Sequence, residues 1–175
     1  GKHQHDNVES EHQRGKRNPG YALQDQPDSG EIGIPGGWHS AVLSPDPYVI
    51  TWTSVQRNVA MACGVGKTPE ERYERASEFV RLVGLEDYAD LTPAELSTGM
   101  KQRLGLARVL AGQAELLLMD EPFASLDFLT RAELQSQLLA IQEKLPRTIV
   151  LVTHQLEEAL LLGRRIIVMH PDSTI

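Results

Sequence analysis

Apolar residues in the second half of the chain gather in short continuous runs separated by stretches with helical spacing. The runs predict buried strands over residues 115–120, 148–153 and 165–169. Helical spacing predicts helices over residues 101–111, 130–145 and 156–162. Because strand, helix and strand in succession form βαβ units, the pattern predicts an α/β fold with a mostly parallel sheet.

Capping residues predict where two of the helices begin. Thr68-Pro69-Glu70-Glu71 has Thr as the N-cap, Pro at the first helical position and Glu three residues after the cap. The helix that follows ends at Gly84 and carries on one face Ala76, Phe79, Val80 and Val83. Thr130-Arg131-Ala132-Glu133 has the same spacing and predicts the start of a helix whose apolar face contains Leu134, Leu138, Ile141 and Leu145.

The first half of the chain divides into a polar segment and a region with apolar pieces. Residues 1–28 contain few apolar side chains, so we expect an atypical, disordered segment that is distinct from a domain over 29–175. Within that domain, residues 40–43 are predicted to form a short strand and residues 49–62 a helix. A mainly helical part therefore precedes the alternating strands and helices.

Composition narrows the classes of function. There are 17 Lys and Arg residues against 24 Asp and Glu residues, and the formal net charge of −7 gives no overall positive field to attract nucleic acid. The apolar runs are far shorter than the about 20 residues that span a bilayer. Cys63 is the only cysteine, which excludes an intramolecular disulfide, and no signal-peptide core is evident, so we expect a cytoplasmic protein.

Two adjacent acids, Asp120 and Glu121, stand at the carboxyl end of the predicted strand 115–120. In an open parallel sheet, ligands bind beyond this end of the strands. The next predicted strand ends at His154, whose imidazole is expected on the same rim of the sheet. Mg²⁺ bound to phosphates would compensate such carboxylates, which are costly to bury alone. The alternative is that both acids are exposed loop residues.

A small polar residue and a glycine come shortly before the predicted helix 101–111. Ser97, Thr98 and Gly99 would then lie at a helix start, where unpaired backbone N–H groups and the positive end of the helix dipole favour phosphate. Without other motifs, the same residues are equally typical of an ordinary N-cap.

Taken together, these motifs resemble the nucleotide-binding subunits of ABC transporters over about residues 29–175. Leu96-Ser97-Thr98-Gly99-Met100 is similar to the family's signature, Leu-Ser-Gly-Gly-Gln. Residues 116–120 followed by Glu121 resemble its Walker B strand and catalytic glutamate, Ser125-Leu126-Asp127 resembles its D-loop, and His154 resembles its H-loop histidine. Met100 and the ending Val168-Met169-His170-Pro171 are similar to the branch of importers for nitrate, taurine and sulfonate.

The resemblance implies a P-loop NTPase-like (RecA-like) sheet with an inserted helical subdomain at about 49–111 and a catalytic core at about 112–175. ATP would be the substrate and Mg²⁺ the cofactor. By similarity, Asp120 would hold Mg²⁺ through water, Glu121 would orient or deprotonate the attacking water, and His154 would contact the γ-phosphate.

The same resemblance implies that the protein works as a dimer. Ser97, Thr98 and Gly99 would reach the γ-phosphate of ATP held by the opposite subunit, and Asp127 would communicate between the two sites. Further partners would be membrane permease subunits, contacted by the helical subdomain, and indirectly an extracytoplasmic solute-binding protein. The expected location is the inner face of the cell membrane, with the chain attached peripherally, and no nucleic acid is expected as a partner.

The family's P-loop, G-x-x-x-x-G-K-[ST], is expected before Ser29, and no match stands there. Gly64-Val65-Gly66-Lys67-Thr68 ends like a P-loop, but Met61 holds the position of the first glycine. In addition, no strand is predicted before this segment, and Thr68 is explained as a helix cap. The sequence therefore predicts a domain that is incomplete at its start, from a truncated or frame-disrupted gene, with weak or no ATPase activity of its own.

Three smaller departures concern single residues. The family's Q-loop glutamine aligns near Ser44 or Pro45, Thr98 replaces a signature glycine, and Gln155 stands where relatives usually carry Asp.

Two other functions stay open. The chain would be either a non-catalytic module that supplies its signature residues to the ATP of an intact partner, or a soluble ABC-type ATPase of DNA repair or translation. The second lacks support, because neither a long coiled coil nor a second cassette is present.

Overall fold

The computed structural model describes residues 33–34, 36–64 and 68–169. By its contacts the chain divides into two units, Gly1–Gly33 and Ile34–Ile175, and every element below belongs to the second. The polar segment proposed for residues 1–28 lies outside the described residues, as do residues 65–67 of the P-loop-like segment.

The described chain forms three parallel strands and five α-helices. The strands are β1 (Ser40–Leu43), β2 (Leu116–Asp120) and β3 (Thr148–Val152). The helices are α1 (Val55–Ala62), α2 (Pro69–Leu82), α3 (Thr98–Ala111), α4 (Phe128–Lys144) and α5 (Leu156–Leu162), with 3₁₀ turns at Glu86–Tyr88 and Pro93–Glu95. The sheet order is β1-β2-β3, and both pairs are parallel. The α/β class predicted from the sequence is therefore confirmed.

Helices α1, α2 and α3 follow β1 and precede β2 along the chain, and they pack against one another. Helix α1 begins at Val55, so the predicted helical start at residue 49 is wrong. The cause is Asn58, which is fully buried. Its side-chain amide accepts from the Ile50 backbone N–H and donates to the Ile50 backbone oxygen. These bonds hold the preceding residues in a turn, and the Ser54 side chain then caps the helix.

Helix α2 begins as the sequence predicts. Thr68 accepts from the backbone N–H of Glu71 at 3.2 Å, and the Glu71 carboxylate accepts from the Thr68 backbone N–H at 2.8 Å, which completes a capping box. The element before the P-loop-like segment is helix α1, not a strand. The interpretation of Thr68 as a helix cap is confirmed.

Strand β2 carries the centre of the sheet. Leu117 and Met119 are fully buried, whereas Leu116 and Leu118 are half-buried, so the expectation of burial on both faces is only partly met in the described residues. One contiguous core joins the inner side of this strand to α1, α2 and α3 and to Phe123 in the loop that follows.

Residues 165–169, which were predicted to form a strand, have no strand structure. A strand is stable only when its backbone pairs with a neighbour, and none of the described strands pairs with this segment. Val150 and Val152 on β3 and Ile167 and Val168 in this segment are all exposed. The prediction of a strand over residues 165–169 is therefore wrong, because an apolar run alone does not make a strand.

Candidate functional site

Strand β2 ends at Asp120, and the chain turns sharply at Glu121. Asp120 is exposed at the end of the strand. Glu121 is the one non-glycine residue in the described part of the chain with a positive φ, +47°, and an L-residue in this region costs about 1–2 kcal/mol. Its backbone N–H donates to Val152 O at 2.9 Å, which ties the turn to the end of β3. The turn directs the Glu121 side chain toward the residues that follow β3.

The Glu121 carboxylate holds His154. Oε1 accepts from the His154 backbone N–H at 2.9 Å and contacts the ring Nδ1 at 2.7 Å. Because a carboxylate only accepts, Nδ1 carries the proton in this contact. The side chain of Glu121 is 22% exposed and that of His154 is 72% exposed. The structure thus brings together two of the residues that the sequence places on one rim of the sheet.

The second carboxylate oxygen of Glu121, Oε2, is buried and has no hydrogen-bond partner. A buried acceptor without a partner is rare in folded proteins and indicates a ligand or water at that point. With Asp120 exposed beside it, the pair offers two carboxylates to a cation. In the described residues no group of three His, Cys, Asp or Glu side chains is placed to hold a metal. The donor set fits Mg²⁺, which keeps several waters and binds through one or two carboxylates and substrate phosphates.

Helix α3 begins about one turn earlier than the sequence predicts, so it includes two of the signature-like residues. Ser97 is the N-cap, and its Oγ accepts from the Met100 backbone N–H at 3.3 Å. Thr98 and Gly99 therefore belong to the first turn of the helix, and the predicted start at residue 101 is wrong. The reason is that Ser97 caps efficiently while Gly99 tolerates helical geometry. Ser97 and Thr98 are exposed.

The start of α3 faces the loop that contains Asp127. A Cβ added to Gly99 would lie 3.3 Å from the backbone oxygen of Ser125 and 3.6 Å from Leu126 Cδ2. Only glycine permits this close approach without a shift of the neighbouring chain. Between the two segments lies an open cleft lined by Ser97, Gly99, Met100, Arg103, Ser125, Leu126, Asp127 and Thr130. The structure thus places Ser97, Gly99 and Asp127 around one cleft.

Asp127 caps helix α4. Its Oδ1 accepts from the Thr130 backbone N–H at 3.1 Å, and hydrogen bonds from the Thr130 side chain and backbone lower the pKa of this exposed carboxyl. The helix begins at Phe128, so the predicted start at Thr130 is wrong. Both residues have a favourable cap spacing, and Asp127 prevails because a carboxylate accepts more strongly from N–H groups near the positive end of the helix.

Among the described residues, no hydrogen bond or ion pair joins the cleft residues Ser97, Thr98 and Gly99 to Glu121 or His154. The two groups lie at opposite ends of the loop 121–127, which Phe123, fully buried, anchors to the core. Gln102 on α3, a residue missed by the sequence analysis, joins this helix to the loop: its Nε2 donates to Pro122 O at 3.2 Å. A polar residue on the otherwise apolar face of α3 was the available signal.

Comparison with known proteins gives a consistent result. The family model described as "ABC transporter" matches residues 7–124, so the family resemblance extends further toward the amino terminus than the motifs indicate. The taurine import ATP-binding protein TauB of Rhizobium johnstonii is 43% identical over 145 residues, covering 82% of this chain and 55% of that protein. The glycine betaine/carnitine transport ATP-binding protein GbuA of Listeria monocytogenes is 46% identical over 123 residues, covering 70% of this chain and 31% of that protein. The chain therefore spans about half the length of the taurine relative and about a third of the length of the glycine betaine/carnitine relative.

Solved structures agree. A dimeric ATP-binding cassette in a post-hydrolysis state, bound to ADP and Pi, superposes with a TM-score of 0.64 at 29% identity, covering 70% of this chain and 55% of that one. An inward-facing metal-chelate type ABC transporter superposes with a TM-score of 0.63 at 23% identity, covering 79% of this chain and 57% of that one, and it supports the fold alone. The chain belongs to the ABC transporter family of ATP-binding proteins.

Proposed function

We propose that the chain serves as an ATP-binding and ATP-hydrolysing subunit of an ABC importer for a small solute. The observation that carries this proposal is the pair formed by Glu121 and His154, with Glu121 Oε2 buried and without a partner at the end of β2. A carboxylate with one oxygen held by an imidazole and the other without a hydrogen-bond partner is suited to accept a proton from water. ATP would be the substrate.

Each residue of the pair has one task in this proposal. Glu121 Oε2 accepts from the attacking water and orients it, while Oε1 is occupied by His154. His154 exposes 72% of its side chain. Because Nδ1 donates to Glu121, Nε2 would donate to the terminal phosphate in the imidazolium form, in which both ring nitrogens carry a proton. Asp120 would hold Mg²⁺ through water, and the ion would neutralise charge on the phosphate oxygens.

The cleft at the start of α3 would take the ATP of a second subunit. Ser97 and Thr98 are exposed, and the first turn of a 14-residue helix presents its backbone N–H groups there. Gly99 keeps the helix close to Ser125, so Asp127 lies at the same surface. A residue pair on each side of one nucleotide requires two subunits, each completing the site of the other.

The further partners follow from the same family. Permease subunits would dock on the helical subdomain and on the segment that precedes α1, where Trp52 is 82% exposed and Tyr48 65% exposed. A solute-binding protein would then act through the permease. Three relatives are named as taurine import proteins, and we propose a solute of the taurine, sulfonate or nitrate kind. None of the described helices has the length and apolar character to cross a membrane. A peripheral position on the cytoplasmic face is the location proposed.

For the 175-residue chain alone we propose weak or no ATP turnover, because its sequence holds no G-x-x-x-x-G-K-[ST]. The segment that ends like this motif follows a helix, and its Thr68 hydroxyl is engaged in a cap. A second function is favoured by the exposed cleft, which needs no P-loop in the same chain. In it, the chain supplies Ser97 and Gly99 to nucleotide held by an intact partner and does not hydrolyse ATP itself.

ATP-dependent association tests the proposal. Analytical ultracentrifugation would follow the chain alone and mixed with TauB of Rhizobium johnstonii, each with and without ATP and Mg²⁺. We expect a complex only when the nucleotide is present. Thr98→Glu should abolish it, because the new carboxylate stabilises the first helical turn but repels phosphate. The control is Ser136→Glu, which adds the same charge to an exposed site in the middle of α4. A folded chain that never associates in response to ATP contradicts the proposal.

A further inference from the structure

We propose that Arg131 and Glu158 are positioning residues that fix His154 against Glu121 by joining the loop 153–155 to the segment that precedes Asp127. This inference rests on the proposed function, because it assigns a purpose to the position of His154. Arg131 lies in the first turns of α4 and Glu158 in α5. Within the described ranges neither residue forms a hydrogen bond or an ion pair with Glu121, so their effect on the site passes through the loop.

Glu158 is buried in a way that its sequence position does not require. It is a charged residue on a seven-residue helix whose neighbours Glu157 and Leu160 are exposed, yet it is only 2% exposed itself. Its Oε2 accepts from Thr153 Oγ1 at 2.8 Å, and its Oε1 accepts from Gln135 Nε2 at 3.3 Å. The carboxylate is thus held on two sides, and Arg131 Nε lies 3.9 Å from Oε1 as its ionic partner.

Arg131 spans the distance between two loops. One end of its guanidinium, Nη2, donates to the backbone oxygen of Leu126 at 3.1 Å, next to Asp127. The other end, Nη1, donates to Gln155 Oε1 at 2.5 Å, next to His154. Only a planar group with several donors in fixed directions makes these contacts together, because a lysine ammonium is a single point.

The contacts restrain the residues on both sides of His154. Thr153 is bound to Glu158, Gln155 is bound to Arg131, and the Gln155 backbone N–H donates to Thr153 Oγ1 at 3.1 Å. His154 itself is largely exposed, and its described partner is Glu121. Its imidazole is therefore positioned by its neighbours and not by packing around the ring. The hydrogen bonds of Arg131 and Glu158 to these neighbours supply this restraint.

A purely stabilising purpose accounts for this arrangement poorly. Well-packed apolar residues of similar volume often stabilise a fold as well as a buried ion pair does. Here one arginine links the α3-facing loop, the loop of His154 and α5, which a pair of apolar side chains would not orient in the same way. Gln155 gives Arg131 a neutral acceptor, so the ionic partner of Arg131 is Glu158.

The tautomer of His154 tests the proposal without any nucleotide. Long-range ¹H–¹⁵N spectra of the 175-residue chain labelled with [¹⁵N]histidine, at one fixed pH of about 8.5 where imidazoles are neutral, report which ring nitrogen carries the proton. The signal of His154 is assigned by its loss in His154→Gln. In the unaltered chain we expect the proton on Nδ1, because Nδ1 donates to Glu121.

Glu158→Gln keeps the shape and, with its amide oxygen toward Thr153, the hydrogen bond from Thr153 Oγ1. It replaces the oxygen that accepts from Gln135 by an NH2 group and removes the charge that faces Arg131. We expect a roughly tenfold fall in the ratio of the Nδ1–H to the Nε2–H tautomer, the size that corresponds to one charge-assisted hydrogen bond. Gln155→Met removes the acceptor for Arg131 at a half-buried site, should lower the ratio in the same direction, and serves as the second variant if Glu158→Gln does not fold. The matched control, Glu157→Gln, lies next to Glu158 but is exposed and should leave the ratio unchanged.

The outcomes separate this inference from the proposed function. An unchanged tautomer ratio in whichever of the two variants retains the circular dichroism of the native fold overturns the positioning assignment, even if the chain associates with ATP. A fall in the ratio that occurs in these variants and is absent in Glu157→Gln supports it, whereas a rise, or an equal fall in Glu157→Gln, overturns it. Failure of ATP-dependent association with an altered tautomer ratio would contradict the proposed function and leave the positioning of His154 supported.

Discussion

Two regions of the molecule are held together in different ways. The helical region, defined as residues 55–111, contributes most of the buried apolar side chains, among them Val59, Phe79, Leu104 and Leu106. The carboxyl-terminal region, defined as residues 148–162, contains one fully buried residue, and that residue is Glu158. Apolar side chains hold the first region, whereas hydrogen bonds and ion contacts fix the second.

The difference separates where stability resides from where the site is positioned. Apolar burial contributes about 25 cal/mol per Å² and does not depend on direction. Small changes in side-chain orientation therefore alter the stability of the helical region little. Hydrogen bonds contribute little net free energy but depend strongly on geometry. The contacts of Glu121 with His154, and of Glu158 with Thr153, are of this kind. Substitutions in the carboxyl-terminal region should therefore alter the site more than they alter the stability of the fold.

The largest expected effect is the truncation of a core residue in the helical region. Leu104 is fully buried in α3, and Leu104→Ala should lower the free energy of unfolding by about 2–5 kcal/mol through lost contacts and a residual cavity. The control is Leu160→Ala in the carboxyl-terminal region, where the side chain is 64% exposed and the loss should stay below about 0.5 kcal/mol. Urea unfolding of both variants measures the two values. Equal losses would refute the contrast between the regions.

A smaller effect is expected for a polar residue in the helical region. Asn58 is fully buried and bonds the backbone of Ile50, Thr53 and Ser54. Asn58→Ala leaves these groups without partners, and we expect a loss of about 1–3 kcal/mol. Asn58→Asp retains the acceptor for Ile50 N–H but loses the donors, so it should not restore stability. Thermal unfolding monitored by circular dichroism measures both variants, and full stability of Asn58→Ala would show that these hydrogen bonds do not hold the turn before α1.

Helix caps give the next step down. Thr68→Ala removes the capping box of α2 and should cost about 1 kcal/mol. The matched substitution Thr130→Ala, at a threonine that the sequence marks as a cap and the structure places inside α4, should cost less than about half of that. Thermal unfolding of the two variants measures the difference. A larger loss for Thr130→Ala would mean that its contact with Asp127 is worth more than the position in the helix suggests.

The accuracy of sequence analysis follows the range of the interactions concerned. Helix α2 was predicted with its cap because Thr68 and Glu71 are three residues apart, and α5 was predicted with its bounds because its apolar residues end at Gly163. The start of α4 was mislocated because two residues, Asp127 and Thr130, satisfy the same short rule and only the structure decides between them.

Long-range contacts could not be predicted from local spacing. The rim that holds Glu121 and His154 was predicted because parallel strands end on one side of a sheet, which is a property of topology. Arg131 and Glu158 are 27 residues apart on different helices, and no pattern in either segment indicates that they meet. Similarly, residues 165–169 have the composition of a strand, but pairing requires a neighbouring backbone that composition does not specify.

The smallest expected effect concerns the pH dependence of stability at Asp127, which lies in the chain between the two regions. Hydrogen bonds from Thr130 lower the pKa of Asp127 in the folded chain below its unfolded value of about 3.9. A lowered folded-state pKa contributes stability that is present above the unfolded pKa and is lost as the pH falls through the folded pKa. Asp127→Asn retains a capping side chain but has no charge to titrate. Thermal unfolding of both proteins at pH 6, 4 and 2.5 should show their melting temperatures converging as the pH falls. A difference that stays constant across this range would mean that Asp127 stabilises the start of α4 by its shape and not by its charge.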